Sequence, residues 1–289
     1  MKAFLLLITL HFMVATGYSG PIDSLQTLEE VRRFITTLGG HVANVDTFLK
    51  TDLDNNGLAD LIVKGDPLTI VMNSNSAGDK LHYVYPPGFA SEYLLMGVDS
   101  SGGQQQLLLK TSKKKKYLHY SQKRIPENNK DTALREAQPI DTLVYRFNGF
   151  IEYNAAPPRY KIKSVRLATT TCLGTCPEYN LVVNSDRTAD YNAGYYTGKS
   201  GHFTGIIDER SFNELMQLID YIHVQSLSEN YAIEATDYPT AILKVIFEDG
   251  QEKLIQDYGM RGTHGLRALY HFIDKLRSSQ EWIWDRKIK

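Results

Sequence analysis

The residues between positions 52 and 60 combine acids, amides and a glycine at the spacing of a cation-binding loop. The segment reads Asp-Leu-Asp-Asn-Asn-Gly-Leu-Ala-Asp, so oxygen-bearing side chains occupy its first, third, fifth and ninth positions and glycine its sixth. Calcium takes roughly six to eight oxygen ligands, and alternating side chains on a tight turn supply them. The predicted ligands are the side chains of Asp52, Asp54, Asn56 and Asp60 and the main-chain carbonyl of Leu58.

The surroundings of this loop indicate which kind of calcium site it would be. Val63 stands where an EF-hand carries glutamate, and predicted strands rather than helices flank the loop, so it is not an EF-hand. The segment from Phe48 to Lys64 resembles the calcium-loop β-hairpins of FG-GAP and VCBS-type repeats, which occur in several copies in integrin-like propellers and exported bacterial proteins. One copy is found here, so no propeller is implied. The predicted ion is structural, and the alternative is an Asn-Gly turn with solvated acids.

Both cysteines of the chain lie in one short segment, Cys172-Leu173-Gly174-Thr175-Cys176. Three residues separate them, unlike the C-x-x-C of thioredoxin-like enzymes or the C-x-x-C-H of haem attachment. Two thiolates alone do not fill a tetrahedral zinc site, and no histidine stands at a ligand spacing. A disulfide that closes a short loop is therefore predicted. A reversible redox pair and a metal site are the alternatives.

The wider motif around the cysteines is C-x-G-x-C-P-x-Y, formed by Cys172, Gly174, Cys176, Pro177 and Tyr179. A hairpin, a helix, an Asp-x-Pro element and a final helix follow it. This arrangement resembles a bacterial envelope family known as a domain of unknown function, over about residues 161–284. The resemblance implies an exported α+β domain and supplies neither a substrate nor a catalytic role. Further matching positions are Tyr191, Gly201, Phe212, Leu215, Tyr231, Asp237, Pro239, Tyr258, Leu266, Ile273 and Asp274.

The elements that would position the acidic loop form a region rich in predicted strands. Apolar residues recur every three or four positions over 22–38 and stop at Gly39-Gly40, which predicts an amphipathic helix capped by Asp23 or Ser24. Short apolar runs separated by Asn- and Gly-containing turns then predict strands from 44 to 153. The sequence therefore predicts a helix followed by a β-rich domain.

Proline-rich residues 155–160 form the predicted linker to a region of mixed elements. Ser211 and Glu214 have capping-box spacing and predict a helix that reaches about His223, while Thr263 is positioned to cap a second helix. Strands are predicted at 161–170, 178–184, 187–196, 240–248 and 252–257, and one more is considered at 201–207. The order β-β-β-α-β-β-α implies an antiparallel sheet with helices on one face, and hence an α+β fold.

The first twenty residues have the order of a secretory signal. Lys2 precedes an apolar run over 3–14 and the small residues Ala15 and Gly17, with cleavage expected within 17–20. The run is shorter than the roughly 20 apolar residues that cross a bilayer. We expect a periplasmic or secreted protein with no membrane span after cleavage. The predicted division is a signal peptide at 1–20, a helix plus β-rich domain at 21–154, the linker at 155–160 and an α+β domain at 161–289.

Composition narrows the classes of partner. Lys and Arg total 32 against 33 for Asp and Glu, a net charge of −1 that provides no field to hold a polyanion. The sequence therefore argues against a nucleic-acid partner. Tyrosine is common, with 18 copies against 11 of phenylalanine. A tyrosine buries its ring and keeps its hydroxyl in water, which suits half-exposed sheets and also protein- or sugar-binding surfaces.

Two functional hypotheses follow from these observations. The favoured one is a non-catalytic binding or structural module of the cell envelope, braced by calcium, whose partner is a protein or a glycan. The alternative is an exported redox or hydrolytic enzyme that uses Cys172 and Cys176 with Asp237, an acid that could pair in space with His202 or His264. The enzyme requires an accessible thiolate of low pKa. The binding module requires an oxidised, unreactive pair and an exposed patch of tyrosines.

Overall fold

The structure is a computed structural model that describes residues 20–73, 81–83, 93–100, 103–111 and 140–285. The predicted signal peptide lies outside the described residues apart from Gly20, as do parts of the region of strands predicted from 44 to 153. Within the described ranges the chain is a strand-rich mixture of α and β structure, with three α-helices and largely antiparallel sheets. No α-helix in these ranges is long and apolar enough to cross a membrane.

The first sheet lies beneath the N-terminal helix. Its four antiparallel strands follow chain order, and Val31 and Ile35 of the helix pack onto it. The helix begins one turn later than predicted, because Thr27 rather than Asp23 or Ser24 caps it through a reciprocal pair of hydrogen bonds with Glu30. The elements are α1 (Leu28–Thr37), β1 (Asn44–Thr51), β2 (Asp60–Asp66), β3 (Thr69–Met72) and β4 (His82–Tyr83).

The second sheet packs against the other face of the first. It contains β5 (Tyr93–Asp99), β6 (Gln106–Thr111), β7 (Ile140–Arg146) and β8 (Gly149–Glu152), antiparallel and in chain order. Strand β2 is buried on both faces, because Leu61 and Val63 face α1 whereas Ile62 joins the apolar cluster of the second sheet. This double burial explains why β2 reads as a continuous apolar run rather than an alternating one.

The third sheet has eight strands in the order β13-β15-β14-β9-β10-β11-β12-β16. All neighbours are antiparallel except β13 and β15, which are parallel. Helix α2 (Glu209–Tyr221) follows β12, and α3 (His264–Ser279) follows β15. The strands are β9 (Ile162–Thr169), β10 (Tyr179–Asn184), β11 (Thr188–Ala193), β12 (Gly201–Ile206), β13 (Asn230–Ala232), β14 (Thr240–Phe247), β15 (Glu252–Tyr258) and β16 (Ile283–Trp284).

Helices α2 and α3 cover one face of the third sheet, as predicted. Alternate strand residues such as Leu167 and Leu243 are buried against helix residues such as Leu215 and Leu269. The observed order differs from β-β-β-α-β-β-α because β12, β13 and β16 are added. Strands β13 and β16 span three and two residues, too few for an alternating pattern to identify them.

The caps of α2 and α3 test two further predictions. Thr263 caps α3 as predicted, since its side chain accepts a hydrogen bond from the Leu266 amide. The cap predicted for α2 is wrong. The Asp208 carboxylate accepts a hydrogen bond from the Ser211 amide at 2.9 Å, so Ser211 lies inside the first turn. An aspartate three residues before the serine provides the acceptor, and the Ser-to-Glu spacing is coincidental.

The predicted linker at 155–160 and the residue before it are attached to the end of α2. The Asn154 side-chain amide donates to the Tyr221 carbonyl at 2.7 Å, and the Tyr160 amide donates to Asp220 at 2.9 Å. Val144 and Ile151, from β7 and β8, lie in the same apolar cluster as α2 and α3. The N-terminal β region and the third sheet are therefore joined through side chains as well as through the chain.

Candidate functional site

The acidic loop closes the hairpin of β1 and β2. Thr51 pairs with Asp60 across the two strands. Asn55 and Gly57 take positive φ angles of 59° and 85°, which fold the segment between Thr51 and Asp60 into a tight turn. One carboxylate oxygen from each of Asp52, Asp54 and Asp60 then lies within 4.8 Å of the others. Three of the five predicted ligands are thus brought together.

The other two predicted ligands are held within the turn. The Asn56 amide nitrogen donates to Asp54 at 3.1 Å and to the Asn73 carbonyl at 2.7 Å, while its oxygen accepts from the Leu58 amide at 2.8 Å. Asn56 therefore presents nitrogen, not oxygen, to Asp54, and rotation of the amide is needed before it becomes a ligand. Coordination by the Leu58 carbonyl stays a prediction.

Asp60 is the buried member of the acidic loop. Its side chain is 0% exposed and accepts from the amides of Leu53 and Asn73, each at 2.7 Å. Burial, together with the charges of Asp54 and Asp52, raises the pKa of Asp60 to about 7. The two hydrogen bonds from main-chain amides act in the opposite direction and lower this pKa. Burial likewise raises the pKa of Asp54. Removal from water and like charge therefore disfavour the ionised forms of Asp54 and Asp60.

A hard divalent cation fits these donors. Carboxylate oxygens are the ligands that calcium prefers, and a bound cation would offset the charge that the three acids place in a small volume. Asp52 is already oriented, because its two oxygens accept from the amides of Asn56 and Gly57 at 3.0 and 2.8 Å. The donor set supplies part of a calcium shell, which water and the loop carbonyl would complete.

Cys172 and Cys176 form a disulfide between β9 and β10, as predicted from their spacing. Gly174 within the loop has a φ of +144°, a conformation that L side chains rarely adopt. The Leu173 side chain is 84% exposed at the tip. In the oxidised state that the structure shows, this segment is a covalently closed, solvent-facing loop.

Three loops meet at the end of the third sheet that carries the disulfide. The Leu173 amide donates to the Asp237 carbonyl at 3.1 Å, and the Glu178 amide donates to the Tyr195 carbonyl at 2.8 Å. We call the region formed by residues 170–178, 194–200 and 233–239 the disulfide end. Besides Leu173, its exposed large side chains are Tyr195, Tyr196 and Tyr238, at 70%, 58% and 42% exposure.

Asp237 lies at the disulfide end, as the enzyme hypothesis requires, but it contacts the cysteine loop through its main chain rather than through its carboxylate. The residue has a positive φ of 68°, is exposed, and meets the cysteine loop through its carbonyl oxygen. The histidines considered as its partners have other neighbours. His202 lies 3.5 Å from Asp190 and 3.8 Å from Asp285. The structure thus brings Asp237 to the cysteines without showing an acid–histidine pair there.

A polar contact that the sequence does not predict joins the two halves of the chain. The Glu152 carboxylate, at the end of β8, accepts hydrogen bonds from the amides of His264 and Gly265 at 2.6 and 2.8 Å. The His264 ring lies 3.3 Å from the Tyr93 hydroxyl at one nitrogen and 3.0 Å from the Arg267 guanidinium at the other. The carboxylate lies at the first turn of α3, where negative charge is stabilising.

Asp257 is a second buried acid that sequence analysis missed. It lies in β15 with 0% exposure and accepts from the amides of Arg261 and Gly262 at 3.0 and 2.8 Å. Burial raises its pKa, against those two hydrogen bonds. Asp257 lies on the inward-facing side of β15, and its position in the alternation of that strand is the sequence pattern that could have revealed its burial. These bonds fix the loop that leads into α3, which indicates a structural role.

Comparison with known proteins identifies part of the chain. A family model described as a domain of unknown function (DUF6438) matches residues 163–277. The match lies within the region for which the resemblance predicted such a domain, and its description assigns no activity. The match begins after the acidic loop and does not test the likeness to FG-GAP and VCBS-type repeats, which stays a prediction. Its description names no motif, so the C-x-G-x-C-P-x-Y signature stays a prediction as well. No curated protein matches the chain.

Proposed function

We propose that the protein is an exported, non-catalytic binding module of the cell envelope, in which a calcium-braced β region supports the binding surface of an α+β domain. The observation that carries the proposal is the disulfide end. There Leu173, Tyr195, Tyr196 and Tyr238 are exposed around a covalently closed loop. Tyrosine is enriched at binding surfaces because its rigid ring provides contact area and its hydroxyl provides a hydrogen bond.

A polar cavity beside the disulfide end supports a protein or glycan partner. The cavity has a volume of about 650 Å³, and Asn230, Thr240, Gln256 and Tyr258 are among the residues that line it. The Tyr258 hydroxyl accepts from the Tyr238 amide at 3.4 Å, which connects the cavity to the exposed tyrosines. Amides, hydroxyls and an aromatic ring are groups that bind sugars and peptide backbones.

The proposed calcium ion and the proposed export depend on separate observations. The crowded carboxylates of Asp52, Asp54 and Asp60 favour a cation, and extracellular modules bind calcium at about 10⁻⁴–10⁻³ M. A disulfide is typical of oxidising compartments outside the cytoplasm. Intact mass spectrometry of protein isolated from the exported fraction without reductant tests both. The expected mass shows cleavage within 17–20, loss of two hydrogens and, under native conditions, one calcium ion.

Co-sedimentation with isolated cell envelopes tests the binding surface. We expect the double variant Tyr196→Ala, Tyr238→Ala to lose at least tenfold in affinity, since exposed aromatic anchors dominate such interfaces. Leu254→Ala is the matched control, because Leu254 has a similar exposure of 46% on β15, outside the disulfide end. Equal sedimentation of wild type and both variants would reject the disulfide end as the binding surface.

The enzyme hypothesis is retained because Asp237 contacts the cysteine loop. After reduction, the rate of alkylation of the two thiols as a function of pH gives their pKa values. A thiolate that forms below about pH 7 would favour the enzyme. Thiols that titrate near the ordinary value of about 8.5 would favour the binding module.

A further inference from the structure

A groove of about 720 Å³ lies between the turn that joins β7 to β8 and the adjacent sides of α2 and α3. Phe147 and Asn148 take positive φ angles of 53° and 58°, so this turn is a tight two-residue hairpin. The Arg146 guanidinium lies 4.6 Å from the centre of the Tyr221 ring, and the rings of Phe147 and Tyr221 are 5.9 Å apart. The hairpin tip is thereby fixed against the end of α2.

Part of the groove's lining is apolar. Phe147 provides one side, and Ala268, Phe272 and Leu276 provide another from successive turns of α3. Phe147, Ala268 and Phe272 are half-buried, so part of each side chain faces the space between the elements. A volume of this size lies within the range of roughly 300–1,000 Å³ that holds small-molecule ligands.

Cationic side chains outnumber acidic ones around the groove. Arg210, Arg267 and Lys275 line it, together with the acids Asp208 and Glu214. Asp208 is already engaged, because it accepts from the Ser211 amide at 2.9 Å and from the Gln280 side chain at 2.8 Å. These hydrogen bonds keep Asp208 ionised, so three cations face two carboxylates, and Glu214 accepts no hydrogen bond from the described residues.

The Arg267 guanidinium is the best placed of these cations. An arginine guanidinium provides five N–H donors and a positive charge. Among the described residues its hydrogen-bond acceptor is His264 Nδ1, 3.0 Å from Nη2, while its Nε is buried with no acceptor in the described part of the chain. The buried Nε is closed to a ligand as well as to water, so the Nη nitrogens would meet it. The two Nη nitrogens of a guanidinium in a cavity wall match the two oxygens of a carboxylate.

We propose that this groove binds a small amphipathic carboxylate, an apolar body with one acid group. The acid lies against the Arg267 side with Lys275 nearby, and the apolar body packs on Phe272 and Phe147. The site is separate from the disulfide end, and the inference does not rest on the proposed envelope-binding function.

Calorimetric titration of the full-length protein with three ten-carbon probes tests the proposal. Decanoate, decanol and decylamine share an apolar chain and differ in charge. We expect decanoate to bind at least tenfold more tightly than decylamine, with decanol between them.

Lys275→Glu, at an exposed position, reduces decanoate affinity about tenfold and leaves decanol unchanged. Lys163→Glu makes the same change of charge on β9 outside the groove and leaves both unchanged.

Arg267→Gln provides the second variant, and its thermal melting is followed because Arg267 also contacts His264. If the variant melts as wild type does, its decanoate affinity falls at least tenfold. If it is destabilised, Lys275→Glu decides. Equal binding of decanoate and decylamine, no saturable binding of decanoate, or unchanged affinity in Lys275→Glu overturns the proposal. Tighter binding of an apolar peptide with a free C-terminus than of decanoate would also overturn it.

Discussion

The carboxylate of Glu152 accepts a hydrogen bond from the main-chain amide of His264 at 2.6 Å, although the two residues are 112 positions apart. The same carboxylate accepts from the Gly265 amide, so both of its oxygens are used at the start of α3. The last α-helix of the described chain is thus oriented by the last strand of the N-terminal β region.

Replacing Glu152 by alanine is expected to lower the free energy of unfolding by about 1–3 kcal/mol, because two amides lose a charged acceptor at a helix N-terminus. Urea unfolding measures the change. Glu248→Ala removes an exposed acid from the β14–β15 turn and should leave stability within about 0.5 kcal/mol of wild type. If the two variants unfold alike, Glu152 does not anchor α3.

Calcium is expected to raise the melting temperature of the wild-type protein at about 1 mM, since a ligand that binds the folded state alone stabilises it. Asp54→Ala should remove this increase, because Asp54 is one of the three convergent acids. Asp46→Ala, on the exposed side of β1, is the control and should respond as wild type does. An Asp54→Ala protein that still gains the full increase would reject the site.

The pH dependence of stability should report Asp60. Its folded-state pKa of about 7 lies above its unfolded value near 3.9. Between these two pH values the folded protein therefore keeps a proton on Asp60 that the unfolded protein has lost. Without calcium, stability therefore falls as pH rises from about 4 to about 7, by an amount on the order of a few kcal/mol. Urea unfolding in chelator at pH 5 and 7.5 measures the fall.

Asp60→Asn provides the comparison for that measurement. The substitution lowers stability at both pH values, because one of the two amides bound to Asp60 loses its acceptor. It should nevertheless remove most of the difference between them. A wild-type protein that is equally stable at both pH values in chelator would contradict the assignment.

Reduction of the disulfide is expected to lower the free energy of unfolding by about 2 kcal/mol, the entropy cost of a closed loop of about five residues. Unfolding with and without a phosphine reductant measures the difference. The double variant Cys172→Ser, Cys176→Ser controls for other effects of the reductant and should not respond to it. A larger loss in the wild type, above about 4 kcal/mol, would show that the closed loop also holds the neighbouring segments in place.

Elements with a local signal are predictable from the sequence. Thr263 predicts the start of α3, and the strands predicted at 161–170 and 240–248 correspond to β9 and β14. The spacing of Asp52, Asp54 and Asp60 likewise predicted that the three acids converge, because a tight turn leaves them few other positions.

What the sequence did not predict depends on distant contacts. Glu152 carries no local sign that it will meet His264, since that contact forms when β8 packs on α3. The cap of α2 was misassigned because Asp208 and Ser211 are both good caps, and the approach of Gln280 from the end of α3 gives Asp208 a second partner. The groove beside Arg267 likewise exists only when the β7–β8 turn meets the two helices.

The central position of β9 has a consequence for how the chain matures. This strand pairs with β10 directly after it and with β14 more than seventy residues later. Until β14 has been synthesised and has arrived, one edge of β9 presents unpaired amides and carbonyls to any other extended chain. Pairings of such long sequence separation form slowly. Assembly of the third sheet is therefore a step at which newly made chains are exposed to misassociation.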